Sequence, residues 1–151
     1  MAQVEEQTVD VLNDVLAEDL SAVRAYQEAV DNVNETRLRS LLDELRTERA
    51  SFVKDLHERV RSLGGEPVKD EDLGGSLRGM WMSLKGSLSG DEAEALLGNV
   101  EGAEESLADA YDEAIAEDID RETQEMLMQQ RTRVHSAHDR IEKLRRSMHG
   151  D

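Results

Sequence analysis

Four polar residues interrupt apolar repeats of helical period, and their types are those that hold metals or protons. Asp19 stands between Leu16 and Val23, Glu48 between Leu45 and Phe52, Glu104 between Val100 and Leu107, and Gln130 between Leu127 and Val134, each at steps of three and four. Such steps return a side chain to one face of an α-helix, so one polar residue per helix is expected to point inward. Residues opposed across an antiparallel hairpin lie symmetrically about its turn. Asp19 and Glu48 are equidistant from Val33-Asn34, and Glu104 and Gln130 from Glu117. Each pair therefore shares a level, and two hairpins docked with their levels aligned would bring three carboxylates and an amide together.

Three carboxylates in a low-dielectric interior repel one another, and each is costly to desolvate. Three kinds of chemistry would compensate. Iron or manganese would suit a carboxylate-rich set drawn from all four helices, which makes Asp19, Glu48, Glu104 and Gln130 the candidate metal ligands. Arg49 or Arg133 would neutralise the layer by bending inward. Shared protons and water are the third option.

The elements that must carry this layer are legible from the punctuation. The chain has one proline, Pro67, and its glycines cluster between Gly64 and Gly90, which leaves two long stretches free of helix breakers. A first helix is expected over about 4–33, with Leu12, Leu16, Val23, Tyr26, Val30 and Val33 on its stripe. A second is expected over about 35–63, ending at Gly64-Gly65. A third, over about 91–116, opens at the capping-box spacing Ser89-Gly90-Asp91-Glu92, and a fourth covers about 120–149. Residues 64–90 read as a link containing a short amphipathic helix over about 73–88, with Trp81 as a plug for one end of the core. The expected architecture is all-α: one domain over 1–151, a four-helix bundle of two hairpins joined by this link. The link either crosses the bundle, making the second and third helices parallel, or makes a local turn. The halves also resemble each other: Ala25-Tyr26-Gln27-Glu28-Ala29-Val30 matches Ala110-Tyr111-Asp112-Glu113-Ala114-Ile115, and His57-Glu58-Arg59-Val60 matches His138-Asp139-Arg140-Ile141.

Composition removes whole classes of function. With 35 Asp and Glu against 18 Lys and Arg, the net charge of -17 opposes binding to nucleic acid or to an anionic membrane. The absence of cysteine removes disulfides, thiol nucleophiles, Cys-ligated zinc and iron–sulfur clusters. No apolar run exceeds three residues and the amino terminus is acidic, so a cytoplasmic protein is expected. Arginine outnumbers lysine 14 to 4 beside this acidic surplus, a balance that suits a high-salt cytoplasm, where screening relaxes carboxylate repulsion. An ordinary acidic bacterial protein is the competing reading.

The chain resembles the bacterial family of ferritin-like four-helix-bundle proteins of unknown function. The residues carrying the likeness are Leu12-Asn13, Tyr26-Gln27-Glu28-Ala29, Glu48-Arg49-Ala50 with Phe52 and Leu56, and Leu63-Gly64-Gly65-Glu66-Pro67. Further along they are Gly79-Met80-Trp81 with Leu84-Lys85, Glu101 and Glu104 with Tyr111, and Gln130 with Ala137-His138-Asp139-Arg140. The resemblance implies a ferritin-like fold with a crossover link and a connection to stress, and it supplies no established activity. Di-iron relatives carry Glu-x-x-His pairs on the second and fourth helices. Here Ser51 follows Glu48 by three, Arg133 follows Gln130 by three, and no Asp or Glu precedes a His by three. The expectation is a bundle without a complete di-iron motif, set against a metal-binding oxidoreductase or ferroxidase. His57 and His138 read as core-edge or solvated, and Glu101 and Glu105 as a solvated face. Tyr26 and Tyr111 read as core residues whose hydroxyls are within reach of the layer, and Met80, Met82, Met126 and Met128 as filler. Val53, Ala93 and Leu96 are too few to decide whether a further apolar stripe is exposed, which leaves a homo-oligomer open.

Overall fold

The computed structural model describes residues 2–69 and 93–148. The short helix over 73–88, Trp81, Met80, Met82 and the capping box at 89–92 lie outside the described residues. Four helices make up the rest: α1 (Ala2–Asn32), α2 (Thr36–Ser62), α3 (Ala93–Ala116) and α4 (Arg121–Met148). Among the described residues there is no strand, and no helix is long and apolar enough to cross a membrane.

The turns end the helices by local chemistry. Glu35 is the N-cap of α2, its carboxylate accepting from Leu38 N–H at 2.7 Å. Asp120 does the same for α4, accepting from Thr123 N–H at 2.7 Å, while Arg59 reaches across from α2 to hold Asp120 at 2.9 Å. At the end of α2, Gly65 N–H donates to Val60 O and Gly64 N–H to Arg61 O, both at 3.0 Å. This closure requires a left-handed residue, and Gly64 supplies it at φ +82°.

Gly65 is needed for a different reason. A Cβ there would lie 2.6 Å from Val9 Cγ1 and 3.1 Å from Val60 Cγ1, because α1 passes close to the end of α2. Gly65→Ala is expected to destabilise the chain by about 1–3 kcal/mol, the usual cost of overpacking. A urea midpoint equal to wild type would show that Val9 yields freely.

The helices pack as a square, with α1 against α2, α3 against α4, α1 beside α3 and α2 beside α4. Hydrogen bonds between helices give their directions. Gln7 of α1 meets Glu117 at the end of α3, and Tyr26 meets Glu104, so α1 and α3 are antiparallel. Arg37 meets Ser147 and Arg59 meets Thr123, so α2 and α4 are antiparallel too.

The core forms two apolar clusters. One contains Ala22, Tyr26, Leu42, Leu45, Val100 and Ile141, and the other Leu12, Leu16, Phe52, Leu56, Leu107 and Leu127. Between them on α1, α2 and α3 stand Asp19, Arg49 and Glu104, all buried. Val23 and Val30 differ from their expected positions, and Leu96 and Val53 are now placed. Leu96 and Val53 belong to the core or its margin rather than to a further apolar stripe, since their faces turn toward neighbouring helices. Ala22 and Ala29 take the inner positions on α1, leaving Val23 and Val30 at the edge. Among the described residues, Met128 is the one exposed large apolar side chain.

Candidate functional site

The buried polar layer is built around Arg49, the largest fully buried side chain among the described residues. On α2 the positions 38, 42, 45, 49, 52, 56 and 60 all point into the bundle, so the helix delivers a guanidinium to its centre. Both oxygens of Glu104 accept from it: Nη2 donates to Oε1, and Nε donates to Oε2 at 3.2 Å. This fork matches a carboxylate edge and makes a strong charge-assisted pair. The Tyr26 hydroxyl donates to Glu104 Oε2 at 2.6 Å. The guanidinium also lies 5.1 Å from the Phe52 ring centroid, a cation–π distance.

Asp19, Tyr111 and Gln130 complete the layer. Tyr111 Oη lies 2.6 Å from Asp19 Oδ2 and 3.0 Å from Gln130 Oε1. A hydroxyl has one proton, so it cannot donate to both acceptors. A protonated Asp19 resolves the conflict by donating to Tyr111, which then donates to Gln130. Turning the Gln130 amide resolves it differently: its NH2 donates to Tyr111, and Tyr111 donates to an ionised Asp19. The two arrangements differ by one proton.

The electrostatics favour both near neutrality. Burial raises the Asp19 carboxyl to about 7, partly opposed by the Tyr111 hydrogen bond and by Arg49. Burial also pulls the Arg49 guanidinium down, but Glu104 outweighs it and the group is held above its ordinary value, fully charged. The Tyr26 and Tyr111 hydroxyls are pushed well up by burial and by the neighbouring carboxylates, so both stay neutral. One buried cation thus pairs with Glu104, and Asp19 is left as the titrating group.

Of the four residues expected to converge, the structure brings together Asp19, Glu104 and Gln130 and leaves Glu48 outside. Glu48 is 15% exposed at the margin of the layer, where Arg49 (2.8 Å), Arg140 (3.1 Å) and Arg133 (3.4 Å) surround it. The expectation that Glu48 points inward is corrected: Arg49 occupies that position. Steps of four and three from Leu45 through 49 to Phe52 fit the helical period as well as steps of three and four through 48, and packing against α3 selects the first. Arg133 does not enter the layer either; it is exposed over the Phe52 ring, at 5.2 Å.

A second polar group lies between α3 and α4. Glu101, His138 and Glu142 each offer a ligand atom, and these atoms lie within 4.8 Å of one another. His138 and Glu142 are one helical turn apart, a spacing that marks them as a same-face pair. Glu142 follows its histidine by four instead of preceding it by three, so this pair falls outside the Glu-x-x-His pattern. His57 is exposed, as a solvated residue would be.

Comparison with known families matches residues 7–117 to one described as Domain of unknown function (DUF2383). No curated protein matches the chain. The matched span contains Asp19, Tyr26, Arg49, Glu104 and Tyr111, the greater part of the buried layer, and covers well over half of the sequence. The chain belongs to this family of domains of unknown function.

Proposed function

We propose that the chain is a non-catalytic, ferritin-like four-helix bundle in which a charge-locked layer stands at the level of a di-metal centre and function resides on the surface. The observation that carries this reading is the burial of Arg49. A metal at this level would need carboxylate lone pairs, but those of Glu104 accept from Arg49 and Tyr26. A second cation would also face the guanidinium charge directly. The donor set therefore does not fit a di-metal centre. The missing Glu-x-x-His pairs and the outward position of Glu48 agree with this.

In this reading residues 1–151 form one domain, and residues 64–90 cross the length of the bundle. Support comes from the helix directions: α2 ends near Asp120, whereas Gly98 of α3 lies near Arg145 at the opposite end. The layer fixes helix register, because only one docking pairs Arg49 with Glu104 and Tyr111 with Asp19. A link to stress rests on the family resemblance, a cytoplasmic location on the acidic amino terminus and short apolar runs, and adaptation to a salty cytoplasm on the acidic, arginine-rich composition.

The test is oxidation of Fe(II) in air. Wild type and Asp19→Asn are expected to oxidise Fe(II) at the same rate, since the layer takes no part. Catalysed oxidation that is lost in Asp19→Asn would overturn the reading.

A further inference from the structure

We infer that the face between α3 and α4 carries a binding site for one divalent transition-metal ion, formed by Glu101, His138 and Glu142, with Arg145 as the cation that the metal displaces. One imidazole and two carboxylates are a donor set suited to Zn2+, Mn2+ or Fe2+. Bonds of about 2.0–2.2 Å place neighbouring ligand atoms roughly 3–3.5 Å apart around one ion. The three side chains, whose ligand atoms lie within 4.8 Å of each other, need only small rotations to reach that spacing. Two ligands come from successive turns of α4 and the third from α3, so backbone elements fix all three.

Three further observations point to a ligand here. Glu101 Oε2 is buried without a hydrogen-bond partner, 3.5 Å from His138 Nδ1. A buried carboxylate oxygen left unpaired is costly unless something binds it. Arg145 neutralises the pair poorly: its Nη1 lies 3.4 Å from Glu101 and 3.2 Å from Glu142, and its Nε is buried and unpartnered. A metal would replace these long contacts with direct bonds, and the arginine, near the end of α4, has solvent to move into. Finally, a cavity of about 150 Å³ opens beside the group, lined by Glu101, Glu104, Glu105, His135 and His138 together with the apolar Ala108, Val134 and Ile141. It is large enough for the water that would complete the coordination.

The three ligands of this site are distinct from the residues of the Arg49 layer, which adjoins it through Glu104, and the two respond to different substitutions. The probe is Zn2+ titrated calorimetrically into metal-stripped full-length protein, with Mn2+ as a second ion. One ion per chain is expected to bind. His138→Ala and Glu142→Gln are expected to weaken binding by at least about 10-fold, the lower end of what even outer-sphere changes cost. Arg145→Met is expected to strengthen it severalfold by removing the competing cation. A structural role for Arg145 alone would predict no gain. Asp19→Asn is expected to leave binding unchanged. His138 is half exposed, so its alanine variant should fold, and far-ultraviolet circular dichroism will verify this. Binding that persists in His138→Ala, no binding in wild type, or no gain in Arg145→Met would each overturn the site. Binding lost in Asp19→Asn but kept in His138→Ala would overturn both this site and the metal-free reading of the layer.

Discussion

Replacing Arg49 by methionine will lower the free energy of unfolding by about 3–5 kcal/mol at pH 8, because Glu104 is left buried without its cation. The size of the effect comes from desolvation more than from the lost bond. Arg49 and Glu104 are 0% and 3% exposed, so no solvent takes over the abandoned carboxylate. Glu48 loses one partner but keeps Arg133 and Arg140, so its share of the loss is small. The double variant Arg49→Met/Glu104→Leu will recover most of the stability, since apolar groups of similar volume often replace a buried ion pair without cost. Urea midpoints at a constant denaturant slope provide the measurement. A single-variant loss below about 1 kcal/mol would mean that this pair does not hold the layer.

Asp19 makes the second large prediction, a pH dependence of stability with a definite sign. Its carboxyl sits at about 7 in the fold against an ordinary 3.8, so between these values the native state holds a proton that the unfolded chain has released. Stability therefore falls as pH rises through this window, the reverse of a salt-bridged carboxylate. The full difference corresponds to roughly 4 kcal/mol, reached above pH 7. Asp19→Asn supplies a permanent neutral partner for Tyr111 and abolishes this component. The variant should match wild type near pH 4 and exceed it in stability by a few kcal/mol at pH 8. Denaturation midpoints across pH 4–8.5 read the difference between the two chains, which cancels the many surface carboxylates. Parallel curves for wild type and Asp19→Asn would show that Asp19 does not carry the proton.

These predictions rest on one arginine that the residue pattern left ambiguous, and the ambiguity has a physical form. Steps of three and four both return to the buried face of a helix of 3.6 residues per turn. Leu45 and Phe52 therefore allow either Glu48 or Arg49 inside, and Leu16 and Tyr26 allow either Ala22 or Val23. The choice is made by the helix opposite. α3 presents Glu104 at that level, so a cation gains more inside than a second carboxylate would, and the slim Ala22 lets the helices approach where Val23 would hold them apart.

Other features needed no partner to be read. Helix limits follow from proline and glycine placement and from polar caps, which act within a few residues: α2 stops at Ser62, just before Gly64-Gly65, and α3 stops at Ala116, before the acidic turn. Asp19, Glu104 and Gln130 were identifiable as polar interruptions of apolar stripes, although Leu20, Ala103 and Arg131 beside them satisfy the same steps and packing decided among them. The reach of Tyr26 and Tyr111 toward the layer was likewise visible from their seven-residue offset. Their actual partners were not: Tyr26 bonds Glu104 and Tyr111 bonds Asp19, each on the opposing antiparallel helix.

Composition thus established an acidic chain, and local periodicity its four long helices and the level at which the interior turns polar, since the latter two depend on forces acting along one helix. Which charge stands at the centre, which carboxylate keeps its proton, and how Glu101 meets His138 and Glu142 depended on docking. Those outcomes are set by desolvation and pairing between residues distant in sequence, energies that exist only once the helices have come together.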